Sequence, residues 1–203
     1  MTHSLKEDLK NWKNIEMSFT VPPTVRLFIF DFDNTILRTH TGGAIKVWNS
    51  YEYLSRSGKL ETFIESFADP YFFKKLVDVI VSKGCAVGIA SFADERMITN
   101  PGEIAGAKMI STFMDYLWGS KDVPLHEKLK NIIGRMGNTK NNHIMHLARM
   151  HGITNFSQVA FFDDDIKNVN AAKYFLPGIN AYHIPIGGLN RKFWVQTFVE
   201  YCQ

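Results

Sequence analysis

Three short, mostly apolar runs recur along the chain, and they constrain its fold more than any other feature. They span residues 25–30, 85–90 and 158–162. Apolar runs of this length are typical of strands that are covered on both faces of a sheet. Between the first two runs, "PYFFKKLVDVIVSKG" begins at Pro70, ends at Gly84 and places apolar residues at helical spacing. Strands that alternate with helices predict an α/β fold with a doubly wound, mostly parallel sheet.

Further helix and strand patterns continue this alternation toward the C-terminus. One helix is predicted after Pro101, and another between Pro124 and Gly137. A third is predicted from a cap at Asn141 or Asn142 to Gly152. Two more are predicted at 166–175 and in the amphipathic stretch 189–202, with a strand between them at 179–184. Parallel strands need such crossover helices between them. The pattern therefore favours the same α/β architecture over the whole chain.

The length and composition of the chain fit one domain. Its 203 residues are 45% hydrophobic, which is enough for one sizeable core. Residues 1–24 are polar and end in two prolines, so we expect an N-terminal extension before a domain at 25–203. Residues 39–68 contain the turn signals "THTGG" and "SRSGK" and are expected to be irregular.

Charge and cysteine content narrow the classes of partner and compartment. A net charge of +3 and a pI near 8.8 are compatible with anionic substrates but too weak to indicate nucleic-acid binding. Cys85 and Cys202 do not form a disulfide framework, which favours the reducing cytoplasm. The charged N-terminus does not resemble a signal peptide, and no apolar stretch approaches the ~18 residues of a membrane-spanning helix. We therefore expect a cytoplasmic protein with no membrane partner.

Polar side chains follow each of the three apolar runs. Asp31 and Asp33 come after the first run, Ser91 after the second, and the acidic residues 163–165 after the third. Ligands of parallel α/β sheets bind outside the carboxyl ends of the strands, so these groups are expected to converge on one edge. A buried carboxylate there needs a cation, a hydrogen bond or a proton.

Phosphoryl transfer is the chemistry that needs this set of groups. Carboxylate oxygens suit Mg²⁺, which is held by one or two carboxylates together with a phosphate. One carboxylate can act as a nucleophile and form an aspartyl-phosphate, while a second protonates the leaving group. A hydroxyl, backbone N–H groups and a lysine would bind the phosphoryl oxygens. Mg²⁺ and a lysine are thus the partners that Asp31 and Asp33 require.

The motifs resemble those of the haloacid dehalogenase-like superfamily over about residues 31–168. "DFDNT" is similar to its first motif, which implies Asp31 as nucleophile and Asp33 as general acid/base. An acid at the position of Asp33 implies a phosphatase or mutase. "VGIASF" resembles the second motif, which implies that Ser91 binds the phosphate, with Phe92 beside it at the substrate. The fold implied is a Rossmann-like core.

The last motif, "FFDDDIKN", is similar to the acidic motif of the superfamily. Its alignment with the "GDxxxD" form implies Asp164 as the main metal ligand, with Asp163 in the place usually held by Gly. The implied metal set is Asp31, Asp33, Asp163 and Asp164. Asp165 is expected to be peripheral.

A lysine and two variable segments complete the resemblance. The stretch "KNNHIMHLARMHGITNFSQVAFFDDDIKN" is similar to that of the small magnesium-dependent phosphatases, which implies Lys140 as the phosphate-binding lysine and Lys121 as the reserve candidate. The long separation of Ser91 from Lys140 implies an insertion at 100–137. Residues 39–68 leave room for a small cap or none.

The sequence therefore predicts a Mg²⁺-dependent phosphomonoester hydrolase. Its substrate is a phosphorylated small molecule or phosphoprotein, and nucleic acid enters only as a phosphorylated substrate. Two alternatives remain: a catalytically retired phosphate- or phosphoprotein-binding protein, and a receiver-type signalling domain. The order of the acidic motifs disfavours a receiver domain, and the presence of both Asp31 and Asp33 disfavours a retired enzyme.

Overall fold

The computed structural model describes residues 21–46, 64–118, 132–133 and 139–198. The strands in these ranges are β1 (Leu27–Phe30), β2 (Ala44–Lys46), β3 (Ala86–Ala90), β4 (Glu103–Ala105), β5 (Ile132–Ile133), β6 (Val159–Asp163) and β7 (Asn180–His183). The helices are α1 (Pro70–Ser82), α2 (Gly106–Trp118), α3 (Lys140–Met150), α4 (Ile166–Phe175) and α5 (Arg191–Phe198), with short 3₁₀ helices at Glu95–Met97 and Phe156–Gln158.

The central sheet has five strands in the order β5-β3-β1-β6-β7. Each neighbouring pair is parallel, and Phe30 of β1 lies opposite Ile89 of β3 and Phe162 of β6. Strands β2 and β4 form a separate antiparallel ribbon. The predicted α/β fold with a mostly parallel sheet is confirmed.

Apolar side chains cover both faces of the sheet. One cluster packs α1, α2 and α5 against the strands, and a second cluster packs α3 and α4 against the other face. In the first cluster the ring of Phe162 stacks on Phe30, Tyr182 and Trp194 at centroid distances of 4.9, 5.0 and 5.7 Å. The alternation of strands and helices in sequence thus becomes a three-layer arrangement with an aromatic core.

Two details of the predicted elements were wrong. The helix expected between Pro124 and Gly137 is not continuous, because residues 132–133 form β5, the edge strand of the sheet. The cap expected at Asn141 or Asn142 is not used, since α3 begins at Lys140 with Thr139 before it. The Asn141 amide instead donates to the carbonyl of Ala171 in α4 at 3.5 Å.

The predicted insertion and cap are described only in part. Of residues 100–137, the described portion forms β4, α2 and β5, and Phe113 of α2 packs edge-on against Phe32 and Phe67 at 5.2 and 5.8 Å. Within 39–68, β2 pairs with β4. Residues 47–63, Lys121 and Cys202 lie outside the described residues. The domain boundaries remain predictions.

Among the described helices, none combines the length and the apolar character needed to cross a bilayer.

Candidate active site

The carboxyl ends of β1, β3 and β6 bring the predicted groups to one edge of the sheet. Asp31 directly follows β1, Ser91 directly follows β3, and Asp163 is the last residue of β6. The backbone N–H of Asp31 donates to the carbonyl of Phe162 at 2.8 Å, which continues the β1–β6 ladder into the site. A cavity of about 530 Å³ opens at this edge, and its lining includes Asp31, Asp33, Ser91, Phe92, Lys140 and Asp164.

Lys140 enters the site from the first residue of α3 and is 3% exposed. Its Nζ donates to the Asp31 carboxylate and to the carbonyl of Ala90. The same Nζ lies 3.7 Å from Oδ2 of Asp163 and 4.8 Å from the ring centroid of Phe92. Contacts with two carboxylates and an aromatic face compensate for burying the ammonium group.

The two buried carboxylates facing Lys140 have perturbed pKa values. Burial raises the pKa of Asp31 to about 7, against the lowering effect of Lys140. Burial also raises the pKa of Asp163, and Lys140 again opposes the effect. Groups with such shifts in a cleft are typical of functional sites.

Asp33 lies in a tight turn after β1. The N–H groups of Ile36 and Leu37 both donate to the carbonyl of Phe32, at 2.9 and 3.0 Å, and close this turn. The Asp33 carboxylate accepts hydrogen bonds from the N–H and the hydroxyl of Thr41, each at 3.1 Å. Burial raises the pKa of Asp33, which suits a carboxyl group that has to deliver a proton.

Ser91 and Phe92 form the wall of the site after β3. The Ser91 side chain is buried, and its Oγ accepts a hydrogen bond from the N–H of Ala93 at 3.1 Å. No α-helix begins here, since the next regular element is the 3₁₀ helix Glu95–Met97. Ser91 therefore closes a local turn and does not cap an α-helix.

The acidic turn after β6 is tightly hydrogen-bonded. Oδ1 of Asp163 accepts from the N–H of Asp165 at 2.8 Å and from the amide of Asn168 at 3.0 Å. Asp165 caps α4 by accepting from the N–H of Lys167 at 2.9 Å. Asp164 remains half-buried and faces the cavity.

Three carboxylates in this site could hold a cation. Oxygens of Asp31, Asp163 and Asp164 lie within 4.8 Å of one another. Oδ2 of Asp163 is buried and accepts no hydrogen bond from the described part of the chain. Hard oxygen donors with one acceptor unsatisfied fit Mg²⁺. Asp33 is outside this cluster, and its carboxylate already accepts from Thr41.

Sequence patterns did not identify two side chains beside Asp33. Thr41 binds its carboxylate, and Nδ1 of His40 lies 3.5 Å from its Oδ2. Both belong to "RTHTGG", which is recognisable in the sequence only as a turn signal. Their role depends on how this turn folds back toward β1.

A comparison with protein families assigns the chain to a family. The sequence model of a family described as Acid Phosphatase matches residues 23–203. The chain therefore belongs to the Acid Phosphatase family, in agreement with the phosphatase that the motifs predicted. A search of curated proteins found no significant match.

The solved structures that resemble this chain are distant from it in sequence. The N-terminal part of a Bacteroides fragilis protein, which contains a phosphatase domain and is complexed with Mg, is 16% identical with a TM-score of 0.54. That alignment covers 86% of this chain and 40% of the other. A HAD-superfamily hydrolase from Ehrlichia chaffeensis is 15% identical with a TM-score of 0.47, covering 89% of this chain and 97% of the other. At 16% identity the Bacteroides structure shows a shared fold.

Proposed function

We propose that the protein is a Mg²⁺-dependent phosphomonoester hydrolase that acts through an aspartyl-phosphate on Asp31. The observation that carries this proposal is the buried Asp31–Lys140 ion pair at the floor of the cavity, with Asp33 two residues further along the same turn. A retired binding protein would not need a second carboxyl group beside the nucleophile. The receiver-type alternative lacks support from the family comparison.

Asp31 and Asp33 divide the covalent chemistry. In the first step an oxygen of Asp31 attacks phosphorus, the bond from phosphorus to the ester oxygen breaks, and that oxygen takes the proton of Asp33. In the second step a water molecule attacks the phosphoryl group, and Asp33 takes a proton from this water. The bond to Asp31 breaks, and inorganic phosphate leaves.

Lys140 and Ser91 act on the phosphoryl oxygens. The ammonium of Lys140 sits beside Asp31, where negative charge accumulates as the phosphoryl group transfers, and it offsets that charge. The hydroxyl of Ser91 and the backbone after it would bind phosphoryl oxygens on the β3 side of the cavity, with Phe92 beside them.

Asp31, Asp163 and Asp164 would hold the Mg²⁺. The carboxylate of Asp33, the fourth predicted ligand, accepts hydrogen bonds from Thr41 and lies outside this cluster. When bound, the ion supplies charge neutralisation for the phosphoryl oxygens and orients the phosphate for attack. The cluster of oxygens at Asp31, Asp163 and Asp164 supports this choice of residues. The substrate is a phosphorylated small molecule or phosphoprotein, and the cytoplasm is its proposed location.

Hydrolysis of para-nitrophenyl phosphate tests the proposal. We expect phosphate release that requires MgCl₂, is abolished by EDTA and is lost in Asp31→Asn. The control is Glu65→Gln, which removes one negative charge at an exposed position and should leave turnover unchanged. An Asp31→Asn protein with wild-type turnover would contradict the mechanism. A wild-type protein that binds inorganic phosphate without any turnover would favour the binding-protein alternative.

A further inference from the structure

His183 is an exposed histidine at the end of β7 whose ring reaches the acidic turn. In the β6–β7 ladder it lies opposite Asp163, and the N–H of Ile184 donates to the carbonyl of Asp163 at 2.9 Å. Nε2 of His183 lies 2.9 Å from the backbone carbonyl of Asp164. A carbonyl oxygen can only accept, so Nε2 carries a proton and donates it to this hydrogen bond.

We infer that His183 is a positioning residue that sets the direction of the Asp164 carboxylate toward the metal. This inference rests on the proposed function, in which Asp164 binds Mg²⁺. The carbonyl of Asp164 is rigidly coplanar with the following peptide N–H, so holding the carbonyl fixes ψ of Asp164. Fixing the backbone at this residue limits where its side chain points.

The hydrogen bond of His183 complements those made by Asp163. The Asp163 carboxylate holds the N–H of Asp165 and the amide of Asn168 from inside the turn. His183 holds the carbonyl of Asp164 from the neighbouring strand. The backbone of Asp164 is thereby restrained on both sides. Asp164 itself is half-buried and lines the cavity.

The function of this contact differs from stabilisation of the sheet. The β6–β7 ladder already has four pairs of residues in register, and His183 is exposed, so its ring adds little buried surface. Partners that orient metal ligands commonly change metal affinity by about tenfold or more when they are removed. The expected effect of losing the donor is therefore on metal binding.

Direct binding of Mn²⁺ tests the inference without substrate, because Mn²⁺ shares the preference of Mg²⁺ for carboxylate oxygens. Free Mn²⁺ is measured by its EPR signal in titrations of the full chain, with Mg²⁺ as competitor. His183→Phe keeps a flat ring without a donor and should bind Mn²⁺ about tenfold more weakly. His183→Gln retains an N–H donor and should restore most of the affinity. The matched control His146→Leu, at an exposed histidine on α3, should bind like the wild type.

The outcomes separate this inference from the proposed function. Wild-type Mn²⁺ affinity in His183→Phe would overturn the role of His183 alone, and so would equal losses in the Phe and Gln variants. A wild-type protein that binds neither ion would overturn the metal site itself. Thermal unfolding followed by circular dichroism should show similar midpoints for all variants. If His183→Phe fails to fold, His183→Leu takes its place.

Discussion

At the scale of single residues, the ion pair between Lys140 and Asp31 favours Lys140 as the phosphate-binding lysine. A fixed charge a few ångströms from the transferring group is worth roughly 4 kcal/mol at an effective dielectric of about 20. We therefore expect Lys140→Ala to lower turnover at saturating Mg²⁺ by on the order of a hundredfold or more. Lys121→Ala, outside the described residues, should have little effect. If Lys121→Ala is the inactive variant, the assignment of the phosphate-binding lysine is wrong.

The raised pKa of Asp33 leads to a prediction about leaving groups. Asp33→Asn can no longer donate a proton, so kcat/KM for alkyl phosphates, whose leaving oxygen needs that proton, should fall far more than kcat/KM for para-nitrophenyl phosphate. The ratio of kcat/KM for the two substrates, compared with that of the wild type, measures the effect. Equal losses on both substrates would argue against Asp33 as the general acid.

Residues at strand ends were predictable, and residues in loops were not. Asp31, Ser91 and Asp163 follow apolar runs, and parallel pairing alone brings such positions together. Lys140 was assigned from the resemblance to a family, because a helix start carries no comparable signal. The contacts of Thr41 and His183 depend on how a turn and a neighbouring strand approach the site, which the local pattern does not encode.

At the scale of elements, the length of each helix or strand decided whether the sequence could predict it. Helix α1 has 13 residues with a proline start and a buried apolar stripe, and its predicted and observed bounds agree closely. Strand β5 has two residues and lies within a stretch whose pattern favours a helix, so its pairing with β3 decided its conformation. Strands β2 and β4 have three residues each and are also too short to show the alternation of apolar and polar residues that indicates a strand.

The cap of α1 gives a prediction about stability. Asp69 accepts a hydrogen bond from the N–H of Phe72 at 3.1 Å, so Asp69→Ala should lower the free energy of unfolding by ~1 kcal/mol. Asp69→Asn keeps an acceptor for this hydrogen bond and should lose less.

Burial raises the pKa of Asp69 above its value in the unfolded chain. The native state therefore binds the proton more tightly, and this group's contribution to stability falls as pH rises from about 3.8 through the folded pKa.

Denaturant unfolding of the wild type and Asp69→Asn at a series of pH values between acid and neutral measures this dependence. The difference in stability should move in favour of Asp69→Asn as the pH rises. A difference that stays constant, or that moves toward the wild type, would contradict the assignment.

At the scale of the whole molecule, the segment after β7 returns to the turn that carries Asp33. The N–H of Leu189 donates to the carbonyl of Thr35 at 2.8 Å. A Cβ on Gly188 would lie 2.5 Å from Cβ of Ala68 and 2.9 Å from the carbonyl oxygen of Thr35. The absence of a side chain at Gly188 thus allows the segments that carry Thr35, Ala68 and Gly188 to meet next to the site.

Replacing this glycine should destabilise the molecule more than replacing a comparable one in open space. Gly188 and Gly84 have similar positive φ values, +81° and +77°, but a Cβ on Gly84 would meet nothing within 4 Å. Both alanine variants carry the backbone cost of about 1–2 kcal/mol. Gly188→Ala should cost about 1–3 kcal/mol more because of the clash. Unfolding in urea measures both, and equal losses would contradict the close contact.

The proposed mechanism requires that Asp31 becomes covalently phosphorylated during turnover. It is tested by rapid acid quenching of the enzyme with Mg²⁺ and para-nitrophenyl phosphate, whose leaving group needs little protonation, followed by proteolysis and mass spectrometry to locate the phosphoryl group. We expect a labile phosphoryl group on Asp31 that accumulates in Asp33→Asn, since that variant lacks the base for the second step, and that is absent in Asp31→Asn. A phosphoryl group on any other residue, or turnover with none on the protein, would contradict it.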